Sequence, residues 1–157
     1  MTKDDARNQA QAQLESIRGM VFRLEHAQDC PGDEFCDLDD ATILEGLNIH
    51  PSEQASADDR AAYHDEDGAR QAILEDALGI QIRSDWGEPG DLEPGEYMIL
   101  LCTGGPAVRI IGQLDSCYPA SAQIEYQDWG TPWTALPTSS AEEADLLTYA
   151  SQFYYGE

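Results

Sequence analysis

The hydrophobic period changes at Gly79. Before it, apolar residues recur at helical spacing; after it, they alternate. Residues ~4–27 read as a helix, because Ala10, Leu14, Ile17, Val21 and Leu24 step by four and three along one face. Asp4 or Asp5 can cap it, and Gly19 weakens it by about 1 kcal/mol. The seam spans only two heptads, so docking on the chain's own sheet is expected, with homodimerisation through the stripe as the alternative. A short helix is predicted from Asp39 or Asp40 to about Leu47, with Ile43, Leu44 and Leu47 apolar. Pro51 sits at a favoured first-turn position ahead of a polar stretch to residue 63. A further helix is predicted over ~66–78, capped by Asp65 or Asp67, with Ile73, Leu74, Ala77 and Leu78 inward and Gly79 at its stop.

Beyond Gly79 the pattern is that of strands. Ile80, Ile82 and Ser84 alternate with Gln81, Arg83 and Asp85. Tyr97 to Cys102 is a continuous apolar run, Ala107 to Leu114 returns with Val108, Ile110 and Gly112 on one face, and Ala122, Ile124 and Tyr126 alternate in a fourth strand. Ser139 or Ser140, with Glu142 or Glu143 three residues on, gives a capping-box signature for a last helix over ~141–154. The fold class expected is α+β: N-terminal helices, then a four-stranded antiparallel sheet packed by a C-terminal helix. An acidic helical region, 1–79, and the sheet with its helix, 80–157, are read as one packed unit.

Charge narrows the function. The 157 residues carry 31 Asp and Glu against 8 Lys and Arg, a net charge of −23. Such an imbalance opposes compaction and is not required by any fold. It fits either adaptation to high salt or a basic partner, and it excludes direct binding to nucleic acid or an anionic membrane. Residues 29–40 are the most acidic stretch, and Glu53, Asp58, Asp59, Asp65, Glu66, Asp67, Glu75 and Asp76 continue it. If wholly helical, residues 53–76 would run about 36 Å. Their charges would then fall every ~4.5 Å, near the ~3.4 Å per phosphate of one DNA strand.

No motif carries an evident reaction. Cys30 and Cys36, with His26 before them, offer three zinc ligands, but the cysteine spacing is wider than usual and no second pair follows. Asp37-Leu38-Asp39-Asp40 lacks the glycine and closing glutamate of a calcium loop. Thr103-Gly104-Gly105-Pro106 lacks the Lys-Ser/Thr of a phosphate loop and reads as a hairpin turn. His26, His50 and His64 read as polar surface or capping residues. Trp86, Trp129, Trp133, Tyr126, Tyr149, Tyr154 and Tyr155 read mainly as core. Neither metal nor cofactor is assigned. No segment has ~18 apolar residues in a row, the first residues lack a signal pattern, and the expected location is the cytoplasm with the four cysteines reduced.

Ile82-Arg83-Ser84-Asp85-Trp86, Ile99 through Val108, Glu125 through Trp133 and Leu147 through Gly156 resemble a family of small acidic proteins encoded by phages, prophages and conjugative elements of proteobacteria. The likeness covers about residues 80–157 and supplies no functional residue. It implies an anti-CRISPR or anti-restriction setting. The function expected is therefore binding, not catalysis. The basic nucleic-acid surface of a host defence complex would be occupied by Asp33, Glu34, Asp37, Asp39, Asp40, Asp58, Asp59, Asp65, Glu66 and Asp67 in place of phosphates. The alternatives are an accessory module for a basic DNA-processing protein of the mobile element and an enzyme acting on a small cationic substrate.

Overall fold

The first helix organises the molecule. A computed structural model describes residues 3–30, 32, 36–50 and 54–156. Helix α1 spans Lys3–Asp29. Its stripe of Ala6, Ala10, Leu14, Ile17, Val21 and Leu24 is at most 1% exposed. The stripe packs against helices α4 (Glu66–Asp76) and α5 (Ser140–Ala150) and strands β3 (Ala107–Asp115) and β5 (Gln123–Gln127). Burying each of its larger aliphatic side chains contributes about 1.5–3 kcal/mol. The surface available for a coiled-coil dimer is thus consumed within the chain.

The sheet is antiparallel, with strand order β1-β2-β3-β5-β6 and β4 paired to β3 off that path. Strands β1 (Gly79–Ser84) and β2 (Pro94–Cys102) complete the long members. Tyr97, Ile99 and Leu101, then Val108 and Ile110, then Ile124 and Tyr126 point to the core, as period-two alternation requires. The expected four strands are all present, but among the described residues the sheet has six. The additions are β4 (Tyr118–Pro119) and β6 (Thr134–Ala135). A two-residue strand shows no period. The β3–β4 turn also uses Ser116 and Cys117 at φ 52° and 68°, a left-handed pair more usual for Asn and Gly.

Two of the expected caps form; Asp4 and Asp5 instead lie inside α1, which already begins at Lys3, and Asp65 stands at the N-cap of α4 without a side-chain cap hydrogen bond. Asp39 accepts from Thr42 N ahead of α2 (Asp40–Gly46), and Ser139 and Glu142 form a capping box on α5. Helix α3 (Ala57–Tyr63) carries another box, from Ser56 and Asp59. Pro51 lies outside the described residues. Helix α4 stops at Asp76, two residues before the expected end, because Leu78 N donates to Leu100 O beside the sheet. Leu74 and Leu78, both expected inward, are 39% and 61% exposed, whereas Ala69 and Ile73 face the core. Tyr149 Oη donates to Asp76 Oδ2 at 2.8 Å and ties α5 to the end of α4. Among the described residues no helix is long and apolar enough to cross a membrane.

Candidate metal centre in the acidic lobe

His26 and Cys30 stand four residues apart at the end of α1, so both side chains leave the same face. The helical bond from Cys30 N to His26 O, 2.8 Å, carries that geometry to Cys30. Cys36 lies on the segment leading into α2. His64 is the C-cap of α3, and its Nδ1 is 2.7 Å from Arg60 O. Tyr63, fully buried, sits beside both histidines and fills the space over Gly46. A Cβ on Gly46 would stand 2.4 Å from the Tyr63 ring.

These elements bring His26, Cys30, Cys36 and His64 together with their donor atoms within 4.8 Å of one another. His26 Nε2 lies 3.3 Å from Cys36 Sγ and 3.2 Å from His64 Nε2. All four residues are half-buried, and both cysteines are free thiols. Phe22 stacks on His26 at 6.0 Å between ring centroids. Burial lowers the His26 pKa, the His64 charge lowers it further, and Asp29 opposes both. The neutral, metal-binding form is therefore favoured. The His64 Nδ1 faces a carbonyl, which only accepts, so Nδ1 carries a proton, and in the neutral imidazole Nε2 is then the nitrogen that presents a lone pair to the cluster. Two imidazoles and two thiols form a donor set suited to a borderline-soft cation. Sequence reading named His26, Cys30 and Cys36 as candidate ligands but set zinc aside on their spacing and assigned no metal. It missed His64, which belongs to a helix beyond any short ligand spacing.

Eight of the ten acids expected to bind a partner lie among the described residues. Asp37, Asp39, Asp58, Asp65 and Asp67 are exposed. Asp39 is engaged as a cap, and the hydrogen bonds from Thr42 hold its carboxyl below the usual range. Asp40 pairs with Arg60 at 2.6 Å. Asp59 closes the α3 box. Glu66 accepts from Arg70 at 2.9 Å and from Gln28 at 3.3 Å, and Asp67 lies 3.6 Å from Arg70. Asp33, Glu34 and Glu53 lie outside the described residues. Residues 53–76 are not one helix: His64 and Asp65 separate α3 from α4, so the charges do not form a single 36 Å row.

No family model, curated protein or solved structure matches the chain. The likeness to mobile-element proteins stands on the quoted motifs alone.

A second concavity lies on the sheet face opposite α1. It is lined by Arg83, Glu96, Met98, Arg109, Gln113 and Gln123. Its charges compensate one another. Arg83 bonds Glu96, and Arg109 bonds Glu125 at 2.9 Å while lying 4.1 Å from the centre of the Trp133 ring. The aromatic residues divide: Tyr126, Tyr149 and Tyr155 are buried, whereas Trp86, Trp129 and Tyr154 are at least 75% exposed.

Proposed function

We propose that this chain is a binding protein for a cationic macromolecular surface of the kind that handles nucleic acid, and that it acts by occupying that surface. One observation carries the reading. Each arginine beyond Glu25, namely Arg60, Arg70, Arg83 and Arg109, is tied to a carboxylate of the same chain. The cations are committed internally, and the surplus acids face outward, with Asp37, Asp58 and Asp65 exposed on one lobe. Association would release counter-ions from both partners and weaken steeply with salt. Inhibition of a host CRISPR or restriction complex is the setting inferred from the mobile-element likeness.

The test compares two charge-matched triple variants. Asp37→Lys, Asp58→Lys and Asp65→Lys reverse the lobe; Glu88→Lys, Asp91→Lys and Asp115→Lys reverse exposed acids around the sheet. At about 1 kcal/mol per contact at 4 Å in water, doubled because each charge is reversed and not merely removed, the lobe triple should lose up to about ten-thousandfold in affinity at low salt. The assay is displacement of labelled DNA from purified CRISPR surveillance and restriction complexes. Equal losses in the two triples, or no displacement by the unaltered protein at low salt, would show that the lobe recognises no such surface.

A further inference from the structure

We infer that His26, Cys30, Cys36 and His64 bind one zinc ion, which fastens the acidic lobe to the end of α1. The spacing of the donors carries this. Zinc–nitrogen bonds of about 2.0–2.1 Å and zinc–sulfur bonds of about 2.3 Å, set tetrahedrally, place neighbouring donors about 3.3 Å apart for N···N and about 3.6 Å for N···S. The cluster shows 3.2 Å between the two Nε2 atoms and 3.3 Å between His26 Nε2 and Cys36 Sγ. A single proton on His26 Nε2 satisfies one of these contacts at a time; a cation satisfies all four donors together. The Nδ1 of His64 is already fixed by Arg60 O, the outer-sphere carbonyl contact that orients a metal-bound imidazole. Arg60 in turn holds Leu38 O at 3.3 Å and Asp40, linking the ligand on α3 to the segment that follows Cys36. A two-iron cluster does not fit, because its histidine and cysteine pairs bind different irons and would stand farther apart.

The fold gives the ion a task. Helices α2 and α3 have 7 residues each, below the ~12–15 at which an isolated helix becomes marginally stable. Their buried residues, Ile43, Leu44 and Tyr63, lie outside the main hydrophobic cluster. The lobe therefore has little apolar packing to resist the repulsion among its own acids. Four protein donors close the coordination shell and leave no position for substrate, so the ion is structural. Two thiolates neutralise its charge, and the lobe stays acidic. The inference is independent of what the acidic surface binds.

The full chain, purified under reducing conditions from zinc-supplemented cells, should contain one zinc per chain by mass spectrometry, with two sulfur and two nitrogen neighbours by zinc X-ray absorption. Cobalt(II) in its place should give sulfur-to-cobalt charge-transfer bands and tetrahedral ligand-field bands. Cys36→Ser and His64→Gln should each weaken zinc binding by about a hundredfold or more, whereas Cys117→Ser and His50→Gln should leave it unchanged. Stripping the ion with a chelator should open residues 36–64 to protease before the sheet is cut. The inference is overturned by metal-free protein whose lobe is protected from protease, by stoichiometric copper or iron without zinc, or by full zinc retention in the Cys36→Ser/His64→Gln double variant. The first two outcomes need no variant, so misfolding of the variants does not shield the inference.

Discussion

Adding one methyl group to two glycines should change stability in opposite directions. Gly112 lies in β3 opposite Tyr97 of β2. A Cβ there would stand 2.0 Å from Ser121 O and 2.7 Å from Tyr97 Cε1. The backbone carbonyl would have to retreat by more than 1 Å, from 2.0 Å to an ordinary contact. That movement breaks the hydrogen bond from Tyr97 Oη to Ser121 O, 2.7 Å, and strains the neighbouring bond from Gln113 N to Ser121 Oγ, 3.0 Å. Overpacking costs about 1–3 kcal/mol and the lost bond about 0.5–1.5 kcal/mol. Gly112→Ala should therefore destabilise by about 2–4 kcal/mol. At about 2–4 °C per kcal/mol for a chain of this size, Tm should fall by about 4–16 °C. Gly19 lies inside α1 with nothing within 4 Å of its notional Cβ. Gly19→Ala should stabilise by about 1 kcal/mol, by helix propensity and reduced unfolded-state freedom. Urea unfolding at equal metal content, with m unchanged, reads both values. A Gly112→Ala value within 0.5 kcal/mol of the unaltered protein, in the order of the ±0.5 kcal/mol expected for surface changes, would refute the close packing of residues 119–121 across β3.

Two further outcomes follow. Tyr149→Phe removes the donor to Asp76, and a hydrogen bond to a charged group is worth about 1.5–3 kcal/mol, which the same urea titration should show as a lower midpoint; an unchanged midpoint would mean that α5 is not held to α4 through this contact. Burial raises the pKa of Tyr63 to about 12 and also raises those of Tyr97, Tyr149 and Tyr155. Against an unfolded tyrosine near ~10, the neutral phenol is favoured in the folded state, so this stability is complete below pH ~10 and is lost as pH rises toward about 12. Phenolate absorbance and loss of ellipticity should rise together over that window, and Tyr63→Phe should lessen the loss; full ionisation of Tyr63 before any unfolding would refute its burial.

The long elements were legible because their own residues repeat a period. Ala10 through Leu24 name the buried face of α1, and Ser139 with Glu142 names the start of α5. What escaped depends on distant partners. Strand β6 exists because Glu125 and Tyr126 pair with Ala135 and Thr134. The last turn expected of α4 is lost because Leu78 finds a carbonyl on β2. The charge run reads correctly as acidic, yet Arg60 and Arg70 neutralise part of it and a helix break divides it. His64 escaped because a ligand set assembled by tertiary structure leaves no fixed spacing. Its neighbours in the chain describe only a helix cap.

The ion pair between Arg18 and Asp145 joins residues 127 positions apart, across the α1–α5 contact. During synthesis at about 5–20 residues per second, the first helix would wait about 6–25 s for the last one to be made. Throughout that interval its apolar stripe has no finished surface to cover it. A helix made well before its last partner is thus late to find its place, and cells that make this protein quickly or in excess should show their losses as aggregates seeded by the uncovered stripe of α1.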